Sequence, residues 1–122
     1  MLLVWSWAGQ AAAEESWNCN YAPVDTPTYN QTATYTISGN VLWGGVNDYT
    51  GKRDQFEIIE DGSNGLIAIK HFTRPQMPKP DTQALIVVII SKTTGLFKFH
   101  GYLVQSGSED IWQGHCTPAV SQ

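Results

Sequence analysis

The side chains best suited to proton transfer, nucleophilic attack and transition-metal ligation near neutral pH are imidazoles and thiols. This chain has three histidines, His71, His100 and His115, and two cysteines, Cys19 and Cys116. Their spacing opens little chemistry. No HxH or HExxH sets two imidazoles on one face, and the adjacent His115 and Cys116 lack zinc-ligand spacing. Nothing like G-x-S-x-G supplies a nucleophile elbow. Glu57 and Glu60 flank Ile58 and Ile59, so in a regular strand they point to opposite faces and cannot act as a paired acid and base. Asp48 and Asp54 bracket a loop without calcium-loop spacing. Gly44-Gly45 is followed by no helix, so it is no phosphate cradle. The expectation is a non-enzymatic protein with no catalytic residue, metal or cofactor. A small hydrolase stands last among the alternatives.

Aromatic side chains offer a better route to function, because large flat rings build ligand pockets. Trp17 lies two residues before Cys19, and Trp112 four before Cys116. A bridge between the cysteines would bring both indoles to one seam, either packed over it as core or lining a pocket. Trp43 stands beside Gly44-Gly45, where a ligand could approach the backbone. Tyr102 and His100, on the polar side of their strand, complete the candidate binding set.

Those residues need elements to hold them, and composition bounds the choice. A length of 122 residues supports one domain. With 42% hydrophobic and 15% charged residues, the chain is not of the disordered class. Net charge is −4 and no basic cluster exceeds Lys52-Arg53, which excludes a nucleic-acid groove. No apolar run reaches the roughly 18–20 residues of a membrane helix, so no membrane span is expected. Leu2 to Ala8 is apolar, and Ala11-Ala12-Ala13 fits the small-x-small cleavage pattern. Residues 1–13 are therefore expected to be a short or truncated signal peptide, and 14–122 a single β domain. The rival reading is an ordered first strand. Export to the periplasm or beyond would make a Cys19–Cys116 disulfide the natural assignment, against two free thiols or a metal site. Its loop of about 100 residues would contribute roughly 4–5 kcal/mol in the chain-entropy model.

After Glu14 no helical period emerges. Residues 14–28 read as an irregular lead-in broken by Pro23 and Pro27. Thr32 to Ser38 alternates, with Ala33, Tyr35 and Ile37 on one face. Gly39-Asn40 predicts a tight turn into Val41–Trp43, and Gly44-Gly45 a bulge or strand end. Asn47 to Asp54 reads as a loop, and 55–60 with 66–72 as a hairpin. Three prolines between Thr73 and Asp81 predict a surface connection. Ala84 to Ile90 is apolar at every position, which predicts cover on both sides. Gly95 should be left-handed in a bulged turn leading to Leu96–Val104, where Phe97, Phe99, Gly101 and Leu103 share one face. Ile111 to Gly114 forms a short last strand. The sum is an all-β fold: an antiparallel meander of six to seven strands in a curved sheet or small barrel, closed by one disulfide.

Several motifs stand in order: Trp-x-Cys at 17–19, Tyr-Thr-Ile-Ser-Gly-Asn at 35–40, Lys-Thr-Thr-Gly-Leu-Phe at 92–97 and Gly-His-Cys at 114–116. In these the chain resembles small exported β-domain proteins of alphaproteobacteria, with a K-x-T-G hairpin before a C-terminal G-x-C. The resemblance implies a periplasmic β domain and carries no activity. A looser likeness to periplasmic β-barrel lysozyme inhibitors rests on size, export and terminal cysteines. The functional expectation is an exported domain that binds a small molecule, a glycan or a protein. The alternative is an inhibitor or envelope-interaction protein, whose acidic surface would meet a cationic partner.

Overall fold

A computed structural model describes residues 14–47, 50–74 and 82–119. The expected signal segment 1–13, Asp48 and most of the proline-rich connection lie outside the described residues. Eight strands follow one another: β1 (Glu15–Pro23), β2 (Gln31–Ser38), β3 (Val41–Val46), β4 (Arg53–Asp61), β5 (Gly65–Arg74), β6 (Thr82–Ser91), β7 (Leu96–Leu103) and β8 (Glu109–Pro118). Each pairs antiparallel with the next, and β8 returns to β1, so the meander closes into a barrel.

Local chemistry explains most of the joints. Gly39 takes φ +63 between the paired Ser38 and Val41. Gly95 takes φ +83, and its N–H donates to the Ser91 carbonyl at 2.9 Å. These are the left-handed turn positions that glycine accepts without a Cβ penalty. The register between β3 and β4 shifts between Trp43 and Val46, where Gly44-Gly45 forms the expected irregularity.

Several expectations need correction. Eight strands form where six or seven were expected, and the last runs Glu109–Pro118, well beyond 111–114. The lead-in is a full strand: Trp17, Cys19 and Tyr21 alternate inward, and Pro23 is its last residue, where a missing N–H costs little. β6 is covered on one side only. Ala84, Val88 and Ile90 are buried inside the barrel, whereas Ile89 points out and is 40% exposed. Glu57 and Glu60 do not diverge. The β4–β5 register shifts between Ile58 and Glu60, so Glu57 pairs with Ile69 and Glu60 with Ile67, both outward positions.

Cys19 and Cys116 are direct cross-strand partners and form the expected disulfide, which ties the β1–β8 seam. The lumen is filled unevenly. Trp17, Ile37, Leu42, Phe56, Leu66, Ile90 and Phe97 pack one end almost without solvent contact. Towards the other end the inward positions include Gly45, Ala84 and Gly101, which cannot fill the bore of an eight-stranded barrel. One end is a plug and the other is a mouth.

Candidate functional site

A cavity of about 460 Å³ occupies the open end. That volume lies in the range of small-molecule sites. Tyr21, Tyr35, Phe72, Phe99 and Trp112 supply its apolar wall, and Asp54 stands at the polar floor. Tyr21 anchors the wall, with its ring centroid 4.8 Å from Phe97 and 5.8 Å from Trp112, the latter edge-on. It sits opposite Gly114, where an added Cβ would overlap the Asn20 carbonyl. Glycine there lets β1 and β8 approach closely, and the Tyr21 ring covers part of the gap that results.

The floor is polar because of strand period. With Leu66 and Ala68 buried inward on β5, Lys70 and Phe72 must follow them into the lumen. Lys70 Nζ donates to Asp54 Oδ1 at 2.6 Å, and Asn47 Nδ2 donates to the same oxygen at 3.2 Å. Each member of the ion pair keeps about a quarter of its side-chain surface exposed, at 26% and 25%. Lys70 Nζ also lies 5.3 Å from the Phe72 ring centre and 5.9 Å from that of Phe56. Beside the pair, the Tyr21 and Tyr35 hydroxyls neighbour each other. Burial drives the Tyr35 pKa well above the usual phenol value, and Tyr21 and the Asp54 charge add to it. Tyr21 is also raised by burial, against a smaller lowering by the neighbouring Tyr35 hydroxyl, with Asp54 again adding. Both phenols therefore stay protonated at neutral pH and serve as hydrogen-bonding groups.

The expected site residues divide. Trp112 lines the cavity with Glu109 and Asp110, and Tyr102, an outward residue of β7, borders its rim. His100 is not on that lining. It stacks on Tyr102 at 4.4 Å and 16°, and its Nε2 lies 3.7 Å from Glu109 Oε1 with no hydrogen bond. Trp17 belongs to the plug, where its Nε1 donates to Glu15 at 2.8 Å. Trp17 pairs with Pro118 and Trp112 with Pro23, so the two indoles lie at opposite ends of the seam with the disulfide between them. Trp43 is half-buried on the outer wall beside Thr36 and Gln55. Of the other histidines, His71 is exposed, and His115 Nε2 lies 2.8 Å from the Thr94 carbonyl. Among the described residues no cluster of three His, Cys, Asp or Glu could hold a metal ion.

Sequence reasoning missed Asp54, Lys70, Phe72 and Phe99 as site residues. Alternation from Leu66 through Phe72 was the available signal for two of them. Asp54 was hidden because it read as the end of a loop. A second concavity, of about 700 Å³, is lined by Asn18, Asn20, Thr32, Thr34 and Thr117. It is a shallow polar depression on the outer wall, with Thr34 Oγ1 donating to Asn18 at 3.0 Å. The mouth, with aromatic walls and a polar floor, is the better binding site.

A scan of protein-family models, a search of curated proteins and a search of solved structures each found no match to this chain.

Proposed function

We propose that the protein is an exported, non-enzymatic binding module that takes a compact, uncharged, ring-bearing molecule into the mouth of its barrel. The observation that carries this reading is the aromatic wall around the cavity of about 460 Å³, joined by the lining carboxylate Asp54, whose charge Lys70 meets. Asp54 and Lys70 neutralise each other at 2.6 Å, so an anion would compete with Asp54 and a cation with Lys70. Glu109 and Asp110 on the lining further disfavour an anion. The Tyr21 and Tyr35 hydroxyls on the lining can each donate to or accept from a hydroxyl or amide group of the ligand. Sugars and aromatic alcohols or amides fit this chemistry, since each offers a flat apolar face with polar groups at its edge.

Export is supported by the disulfide, because such bridges persist in oxidising compartments. The likeness to small exported β domains supports the same location. A soluble module, not a membrane barrel, is supported by the packing: apolar side chains fill the plugged end of the lumen, and on β1 and β2 Asn18, Asn20, Thr32 and Thr34 face outward, so no apolar band encircles the barrel.

Tryptophan fluorescence titrated with neutral sugars, aromatic alcohols and amides tests the reading. A saturable change is expected in the native protein and its weakening in Gly101→Val, which narrows the mouth. No response from any of these classes refutes the reading, and a response unchanged by Gly101→Val refutes the site.

A further inference from the structure

A single-layer antiparallel wall facing water normally carries polar residues outside. Across the middle of β5 and β6 this wall does not. Its outward residues form three rows. Glu60, Ile67, Ile89 and Lys98 stand side by side in the first. Glu57, Ile69, Val87 and His100 form the second, and His71, Leu85 and Tyr102 the third. Ile89 is 40% exposed, and Ile67, Ile69, Leu85 and Val87 are half-buried by their lateral neighbours, with no second layer over them among the described residues. A contiguous aliphatic patch with a polar rim has the anatomy of an interface centre.

The rim identifies the occupant. Its β4 side carries Glu57 and Glu60, brought to the same face by the register shift, and its β7 side carries Lys98 and His100. Glu57, Glu60 and Lys98 make no ion pair among the described residues. Consider a second copy rotated about a two-fold axis lying in the interface and parallel to the strands. Its β4 column then covers β7 of the first copy, and its β5 covers β6. Each row meets the same row, so Glu60 faces Lys98 of the second copy and Glu57 faces its His100, twice over by symmetry. A two-fold axis across the strands would instead stack the glutamates on each other. The charge pattern thus suits one self-docking and opposes the other.

We propose that the protein self-associates as a two-fold dimer through the outer face of β4–β7, with Ile67, Ile69, Leu85, Val87 and Ile89 at the centre and Glu60–Lys98 pairs at the rim. The occupant is a second copy because the face is complementary to itself in both charge and apolar content. This assembly leaves the barrel mouth open and does not depend on the cavity binding a ligand.

Sedimentation equilibrium of the full chain, from micromolar to millimolar concentration, should give twice the monomer mass. Glu60→Lys and Lys98→Glu each convert two attractive rim pairs into like-charge pairs. Each should raise the dimer dissociation constant at least about tenfold. The double variant Glu60→Lys/Lys98→Glu restores the pairs with reversed sign and should recover dimerisation. These positions are on the outer surface, so far-UV circular dichroism should be unchanged in all three. A monomer at every concentration overturns the proposal and leaves the face to segment 1–13 or to a different protein. A dimer indifferent to the single reversals, or one that the double variant fails to rescue, overturns it equally.

Discussion

Two glycines on adjoining strands should answer the same kind of substitution with opposite signs. Gly101 on β7 lies opposite Asp110, and a Cβ there would meet nothing closer than the Asp110 carbonyl at 3.8 Å. Its neighbourhood is the cavity, so a side chain has room. Replacing glycine within a strand relieves backbone entropy by roughly 0.5–1 kcal/mol. Valine adds three carbons, and half-burial of these at about 0.8 kcal/mol per methylene contributes roughly 1 kcal/mol. Rotamer loss takes back about 0.5 kcal/mol. Gly101→Val should therefore stabilise the fold by about 1 kcal/mol while narrowing the mouth. At Gly114 on β8 an added Cβ would overlap the Asn20 carbonyl and come within 2.6 Å of Tyr21 Cα. Both obstacles are backbone, so β1 and β8 must part beside the disulfide. Gly114→Ala should cost about 2–3 kcal/mol, the scale of forced overpacking. Urea denaturation of the two variants with the disulfide intact reads both numbers from the shift in midpoint at constant slope. If Gly101→Val loses as much stability as Gly114→Ala, the mouth is filled in solution and the reasoning from the cavity fails.

Other outcomes follow from the same geometry. Reducing Cys19–Cys116, whose loop spans 97 positions, should lower the urea-derived stability by about 4–5 kcal/mol; a loss below 1 kcal/mol would show that the seam holds without its bridge. Asp54→Asn strands a Lys70 ammonium that is about three-quarters buried, which should cost about 1–2 kcal/mol after solvent screening, less than the 3–5 of a fully buried pair. Asp54→Asn/Lys70→Met should recover most of that loss, and a single variant as stable as the native protein would show that the pair is loose. Stability should also fall as pH rises beyond about 10, with the phenols and one lysine acting in the same direction. Unfolded Tyr21 and Tyr35 ionise from the ordinary phenol value of 10.0 while the folded phenols hold their protons, so the unfolded state gains. Burial lowers the Lys92 pKa, but the hydrogen bonds to Asp61 and Glu15 outweigh it and raise the group above 10.5. Its contribution is full below that value and disappears as pH climbs through the folded pKa. Phenolate absorbance recorded with denaturation midpoints checks this, and an ordinary tyrosine titration in the folded state would contradict it.

Short-range chemistry made several features readable in one dimension. The turns at Gly39 and Gly95 depend on glycine accepting positive φ, and alternation in 32–38 and 96–103 places Tyr35, Phe97 and Phe99 inward whatever the rest of the chain does. The antiparallel meander and the bridge followed from hairpin order and from cysteines near both ends. What eluded that reading depends on partners distant in sequence. β1 becomes a strand because β2 and β8 supply hydrogen bonds on both sides, which outweighs a terminal proline. The β4 irregularity that turns Glu57 and Glu60 to one face is set by pairing with β5. Lys70 finds Asp54 only when β4 and β5 lie side by side, and Trp17 and Trp112 part company because the seam runs antiparallel. The hollow at the mouth is the least local property of all. It arises where Gly45, Ala84 and Gly101, on three different strands, line one cavity, and which residues share a cavity is a matter of register around a closed ring.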